Sequence, residues 1–377
     1  MKKDVIILTA INPTKAYSCV KYLYDNISPK YAVELWALVS SDSIEQYRTW
    51  GETVHSFSSN PFGKIPKVRM IAMKIIGFFL CLSYRNRTII CHETYHYHSA
   101  CFVKILFPKT KLIHYCTEMY NEKSARFQQR QLKYYRRHAN DPDLIIECNA
   151  ERKEYRKELY GIIKPQVVIE NTIPSSELSD YSNIKYGLND VPTIVYSGGC
   201  HNVHELDIIV NALKLLDFDF VAKFIVYGPT DAIEVLKEQC KTISNAKIEI
   251  VTGLTRDKAL AHVANSDIGV VYYDPDYSVN CRYAAPTKFF EYIGLGVPLV
   301  SSKNDSLVRI IEDYKVGEYL ETNDAEGMAK AISRLANKTY RESVHLNEIK
   351  AFSEHLSYES QATNAYEHIY SVLGENR

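Results

Sequence analysis

Short apolar runs alternate with longer amphipathic stretches along almost the whole chain. Val5–Leu8 reads as a strand, Pro13–Asn26 as a helix and Ala32–Val39 as a strand again. Thr88–Cys91 and Leu112–Tyr115 are further strands around a helix near Ser99–Leu106, and Gln128–His138 is a polar, basic helix. Leu144–Ile146 and Val167–Ile169 bracket a charged helix, Ala150–Tyr160. Residues 171–191 are polar and turn-rich, as a linker is. The rhythm then restarts, with strands at Thr193–Tyr196, Lys223–Tyr227, Ile248–Val251 and Ile268–Tyr273. Helices at Val203–Leu216, Asp231–Cys240 and Arg256–Ala264 separate them. Such alternation predicts an α/β chain of two Rossmann-like, doubly wound domains, each a parallel sheet with helices on both faces. The expected domains are 1–185 and 186–357, followed by a helix over Tyr358–Leu373. Open sheets of this kind bind ligands at the carboxyl ends of their strands, so a cleft between two such domains is the expected site.

One stretch carries more chemistry than the rest. Pro286-Thr287-Lys288-Phe289-Phe290-Glu291-Tyr292 leads into Ile293-Gly294-Leu295-Gly296-Val297-Pro298. Pro at the start and Gly near the end predict a short helix between two strands. Lys288 and Glu291 are three apart and share a face. A helix start with a lysine and a carboxylate one turn in can hold an anion and a polyol together. A nucleotide sugar offers both, a pyrophosphate and a ribose diol.

Composition narrows the class. The 377 residues are 46% apolar and 24% charged with zero formal net charge, a globular balance that gives no reason to expect nucleic acid. Residues 1–190 nevertheless hold 27 Lys and Arg against 19 Asp and Glu, and the rest reverses that excess. The basic half could meet an anionic membrane or a phosphorylated acceptor, or the asymmetry is scatter. Nine single cysteines without a C-x-x-C pair point to a reducing, cytoplasmic setting and away from disulfides or structural zinc. The first residues have a strand's length of apolar character and no cleavage pattern, so no signal peptide is expected. No run is long enough to span a bilayer. Met70–Leu82, flanked by Lys64, Lys67, Arg69, Arg85 and Arg87, reads either as a helix on an anionic surface or as a buried crossover helix.

The second half carries a recognisable succession of motifs: Tyr196-Ser197-Gly198-Gly199, Val226-Tyr227-Gly228, Gly253-Leu254, Ser266-Asp267-Ile268-Gly269-Val270 and the Pro286–Pro298 stretch. Upstream lie Asp143–Ile146, Val168–Asn171 and His114–Tyr120. Together these resemble the GT-B glycosyltransferases, and most of all glycosyltransferase family 4, the group 1 enzymes of polysaccharide and lipopolysaccharide assembly. The resemblance implies two facing domains, an acceptor domain first and a nucleotide-sugar domain second, with the final helix (358–377) crossing back to the first. It implies a hexosyltransferase using a nucleotide-sugar donor and a glycan or lipid-linked acceptor, with no cofactor and no metal. In this reading Glu291 accepts hydrogen bonds from the ribose, a task suited to a carboxylate. Lys288 and the N–H groups near Thr287 neutralise the leaving diphosphate. Gly198 and Gly199 let the backbone approach phosphate.

Two departures stand out. The family commonly has a glutamate eight residues before the position of Glu291, where this chain has Tyr283. An Arg and a Lys often follow the glycine loop, where this chain has Cys200-His201-Asn202-Val203-His204. These leave retention of anomeric configuration and the usual pyrophosphate clamp open, with Arg282 or Arg256 as substitute cations. Asp274 and Asp276 either approach the sugar hydroxyls or are solvated loop acids. On the acceptor side, Thr9–Pro13 and Cys91–His98 follow strands, and His92, Glu93 or Glu118 could act as base or steady the sugar. His96 and His98 lack metal-site spacing. Lys133, Arg136 and Arg137, beside Tyr134 and Tyr135, are either a solvated face or a site for a lipid diphosphate. A non-hydrolysing sugar-nucleotide epimerase and a catalytically silent scaffold remain as alternatives.

Overall fold

The computed structural model describes residues 4–9, 19–39, 54–58, 66–119, 126–181, 191–200 and 203–374. The chain divides into two compact units, Met1–Ile169 with Ala362–Arg377, and Glu170–Gln361. The first holds a seven-stranded sheet made of β1 (Val5–Thr9), β2 (Val33–Val39), β3 (Val54–Ser58), β4 (Thr88–His92), β5 (Lys111–Cys116), β6 (Leu144–Glu147) and β7 (Gln166–Val168). Its order is β3-β2-β1-β4-β5-β6-β7, and all neighbours are parallel. Strands β1, β4 and β6 are buried along their whole length, as strands covered on both faces must be.

The second sheet contains β8 (Thr193–Gly199), β9 (Phe220–Tyr227), β10 (Ala246–Thr252), β11 (Ile268–Val271), β12 (Leu299–Ser301) and β13 (Gly317–Tyr319). Its order is β10-β9-β8-β11-β12-β13, again all parallel. In each sheet the direction of winding reverses beside the first strand, between β1 and β4 and between β8 and β11. Open parallel sheets bind ligands at the carboxyl ends of strands flanking such a switch point.

Most elements lie where the hydrophobic pattern puts them. The helices at Ala150–Tyr160, Arg256–Ala264 and Tyr358–Leu373 have the expected ends. Strands β3 and β13 were not expected. β3 reads Val-His-Ser-Phe-Ser, with too little apolar continuity to signal a strand, and β13 is only three residues long.

Residues 171–181 are no free linker. Ile173 and Leu178 are buried in the second unit's core, Thr172 Oγ1 donates to Leu356 O at 2.6 Å, and Asn171 Nδ2 donates to Ala285 O at 2.8 Å. The division therefore falls after Ile169 rather than near residue 185. Residues 182–190 lie outside the described residues, as do 10–18, which include most of the Thr9–Pro13 loop. The end of the final helix belongs to the first unit, where Tyr370 OH donates to Asn26 O at 3.0 Å and Lys30 lies 4.1 Å over the Tyr370 ring.

Candidate functional site

In the second unit, the helix Thr287–Leu295 forms as the sequence indicates. Pro286 caps it in extended conformation, and Gly296 ends it in the left-handed region at φ 65°. The next residue's amide, Val297 N, reaches back to Tyr292 O at 2.9 Å, closing the last turn. The buried side of the helix is Phe289, Phe290, Tyr292 and Ile293. Tyr292 OH accepts from Ser197 N at 3.0 Å, which pins the helix to the end of β8, and burial raises its phenol pKa.

Lys288 is on the first turn of this helix and reaches the same strand end. Its Nζ lies 4.4 Å from the centroid of the Tyr196 ring and 5.5 Å from that of Tyr273. A Cβ on Gly198 would stand 2.5 Å from that Nζ. The glycine therefore leaves the volume that the ammonium occupies. Gly199 O accepts from Tyr196 OH at 3.0 Å, which fixes the ring under Lys288. The strand end thus gathers Gly198, Gly199, Tyr196 and Lys288, with Thr287 at the helix start.

Glu291 is one turn further on. Its Oε1 accepts from Arg256 Nη2 at 2.8 Å, and Arg256 Nη1 donates to Glu177 Oε2, also at 2.8 Å. Arg256 therefore bridges two carboxylates. Arg282 is 58% exposed along its side chain and pairs with Asp305 at 3.2 Å, its guanidinium 5.6 Å over the ring of Tyr283. Asp274 Oδ1 accepts from Asp276 N at 3.0 Å, so it shapes its own loop, and Asp276 is exposed. His201 and Asn202 lie outside the described residues.

In the first unit, His92 ends β4 and is 2% exposed. Its Nδ1 lies 2.9 Å from Thr9 Oγ1 and its Nε2 3.2 Å from Thr117 Oγ1. Burial lowers its pKa to about 3, so the ring is neutral at pH 7. Glu93 follows in the left-handed region at φ 62°, and its Oε1 accepts from Thr117 N, Thr117 Oγ1 and Glu118 N at 2.6, 2.5 and 2.9 Å. That carboxylate holds the turn after β5. Glu118 is exposed, and its backbone oxygen accepts from the buried Arg156. Arg156 Nε lies 3.3 Å from Glu147, whose pKa burial raises to about 7. His96 and His98 stand apart from this cluster. His96 packs on Gly77 and His98 stacks on Tyr134. Among the described residues no group of His, Cys, Asp or Glu is arranged to hold a metal ion.

Residues 191–338 match the sequence profile of the family "Glycosyl transferases group 1". The whole chain superposes on solved structures at low identity. The HepE protein of Anabaena, solved with UDP and glucose, gives a TM-score of 0.72 at 14% identity, covering 98% of this chain and 100% of that one. The chain has the GT-B fold, and residues 191–338 of its second unit are similar to the group 1 glycosyltransferases. A glycosyltransferase of Rickettsia africae gives a TM-score of 0.69 at 14% identity with full coverage of both chains. Sucrose-phosphate synthase of Thermosynechococcus elongatus gives 0.72 at 12%, covering 98% and 100%. No curated protein is significantly similar in sequence.

Several residues that shape the second unit gave no sequence signal. Asn304, fully buried, donates from Nδ2 to Tyr273 O at 3.0 Å and Cys281 O at 2.6 Å. Ser302 Oγ accepts from Tyr273 N and donates to Asn304, and Ser306 Oγ donates to Ala284 O at 2.5 Å. These three tie the 274–286 loop and the strand end before it to the segment that follows β12. Glu177, the far partner of Arg256, was equally invisible.

Proposed function

We propose that the protein is a hexosyltransferase that moves a sugar from a nucleoside-diphosphate sugar to a hydroxyl of a glycan or lipid-linked acceptor. The observation that carries this reading is the Lys288 ammonium seated over Gly198, at the switch point of the second sheet and at the start of a helix that also bears Glu291. An anion there meets a fixed positive charge and the helix N-terminus together. The nucleotide is taken to be uridine diphosphate, because HepE of Anabaena was solved with UDP and with UDP-glucose.

In this mechanism the donor binds the second unit with its diphosphate against Lys288, Thr287 and the Gly198-Gly199 backbone, and its ribose against Glu291. Arg282, exposed and paired with Asp305, is taken as a further cation for the diphosphate. The acceptor hydroxyl attacks the anomeric carbon on the face from which the diphosphate departs, its proton passing to the leaving diphosphate oxygen as the carbon–oxygen bond to the diphosphate breaks. Lys288 and the helix start neutralise the charge that develops on the leaving oxygen. The acceptor binds the first unit. There His92 and Glu93 hold the strand-end turn, and Glu118, exposed on it, is the acid that contacts acceptor. Retention of configuration and a role in bacterial surface polysaccharide assembly complete the proposal.

Titration calorimetry with UDP and a turnover assay with UDP-sugar, with and without a glycan acceptor, test it. Binding plus acceptor-dependent release of UDP is the expected result. Turnover of donor to an epimer without acceptor would mark an epimerase, and failure to bind any nucleoside diphosphate would leave a silent scaffold.

A further inference from the structure

Three helices pack side by side on one face of the first sheet: Pro66–Ser83, Tyr97–Leu106 and Arg126–His138. They meet the same core, through Cys81 from the first, Tyr97, Ala100 and Cys101 from the second and Tyr135 from the third. Phe78 lies 6.0 Å from Phe102, and Tyr134 stacks 3.7 Å from His98, so the three are direct neighbours.

The first helix buries Met73, Gly77 and Cys81, a stripe at four-residue spacing. Ile71, Ile75 and Phe79 form a second stripe, two residues out of phase and so on the opposite side. That outer stripe faces solvent. Ile71, Ile75 and Phe79, with Phe102, Ile105 and Leu106 of the neighbouring helix, are each between 47% and 61% exposed. An ordinary surface helix carries polar side chains there. Six large apolar residues on two touching helices are more than scattered surface hydrophobes, and such patches mark interaction sites.

The charge pattern selects the partner. The three helices together contain nine Lys and Arg and no Asp or Glu. Between residues 66 and 117 the lone acid is Glu93, and it is buried. Lys133, Arg136 and Arg137 are exposed on the third helix, and Arg85 and Lys109 are exposed just beyond the ends of the first two. Lys104 is held by Asp143. Apolar side chains bordered by cations match the surface of an anionic bilayer, where rings and aliphatic chains enter the acyl boundary and cations stay with the headgroups. A two-fold pair of this chain across the same face would instead set cationic helices against each other.

We infer that this three-helix face docks the protein on an anionic lipid bilayer, through Ile71, Ile75, Phe79, Phe102, Ile105 and Leu106 with the cations of Arg126–His138 alongside. Among the described residues no helix is long and apolar enough to cross a membrane, so the contact is peripheral.

Co-sedimentation of the full chain with vesicles tests this. The protein should pellet with phosphatidylglycerol–phosphatidylethanolamine vesicles, stay in solution with phosphatidylcholine vesicles, and be released by salt. At about fivefold per charge, K133Q/R136Q/R137Q should weaken binding roughly 100-fold. I75S/F79S/F102S should weaken it at least as much, while circular dichroism shows the fold unchanged. Indifference of the wild type to anionic vesicles would overturn the inference. So would equal binding to phosphatidylcholine, or a concentration-dependent dimer by light scattering that I75S/F79S/F102S abolishes. Vesicle binding needs neither donor nor acceptor, so a negative result leaves the transferase reading standing.

Discussion

The ammonium of Lys288 occupies the space that a side chain on Gly198 would need, with 2.5 Å between Nζ and the position of the missing Cβ. Ninety residues separate the two in sequence, and the pairing joins a strand end to a helix start. Gly198→Ala would push a flexible side-chain terminus rather than backbone, so the fold should survive. The displaced ammonium should lower UDP affinity about tenfold, roughly 1.4 kcal/mol, by titration calorimetry. Unchanged affinity would remove Lys288 from the diphosphate site.

The Glu177–Arg256–Glu291 chain makes a second prediction. All three side chains are less than a quarter exposed. Arg256→Met should cost about 1 kcal/mol of stability, since the bridge is only partly shielded. It should also weaken UDP binding by freeing the Glu291 carboxylate from its set orientation. A double-mutant cycle between Arg256→Met and Glu291→Gln should show the two effects on affinity to be non-additive. Strict additivity would mean that Arg256 does not position Glu291.

Glu93 combines a left-handed backbone with a carboxylate that accepts three hydrogen bonds. Glu93→Ala keeps the unfavourable backbone and leaves the Thr117 and Glu118 amides without their acceptor. A loss of about 2 kcal/mol is expected, measured by urea denaturation. Glu93→Gln, which keeps an acceptor oxygen, should lose less. Equal losses would point to the negative charge rather than the geometry.

Acid sensitivity follows from the buried histidines. Burial lowers the pKa of His92 to about 3 and those of His96 and His98 to about 4, with Lys74 adding to the last two. Each folded pKa is below the unfolded value of about 6.5. Between these values the unfolded chain binds more protons, so stability falls as pH drops from about 6.5 toward 4. Glu147 opposes this between about 4.5 and 7, because its folded pKa is raised and its protonated form favours the fold in that window. Burial also holds His114 well below its usual value and Glu348 well above its own, so four histidines outweigh two carboxyls; unfolding free energy should decline on acidification, and His96→Gln should flatten the slope. A flat profile from pH 7 to 5 would contradict the burial of these rings.

Much of the architecture was legible because local signals agreed with the tertiary outcome. The helix Ala150–Tyr160 has both ends written in its sequence: Asn149 accepts from Arg152 N at 2.7 Å, and Gly161 closes in the left-handed region. The neighbourhood of Lys288 and Glu291 was legible for a similar reason, since helix spacing and a strand-end glycine are local patterns. Arg256 was named only as a substitute cation, and its bridge from Glu291 to Glu177 was not legible, because the contact with Glu177 spans 79 residues and Glu177 alone looks like a surface charge. Asn304 and Ser302 look like solvated loop residues until their burial is seen. His92 and Glu93 show the converse. Their position at a strand end was evident, but that both point inward, onto Thr9 and Thr117, depends on a backbone conformation that no residue pattern announces.

The return of the last helix to the first unit sets an order of assembly. On the ribosome, every residue of the second unit through Gln361 is made before Ala362, so that unit can close while the chain is still being synthesised. The first unit begins earlier and finishes later, because the tyrosines that meet Tyr22 and Asn26 are not yet present. Its Cys19–Ile27 helix must wait for hydrogen-bond partners encoded more than 300 codons downstream.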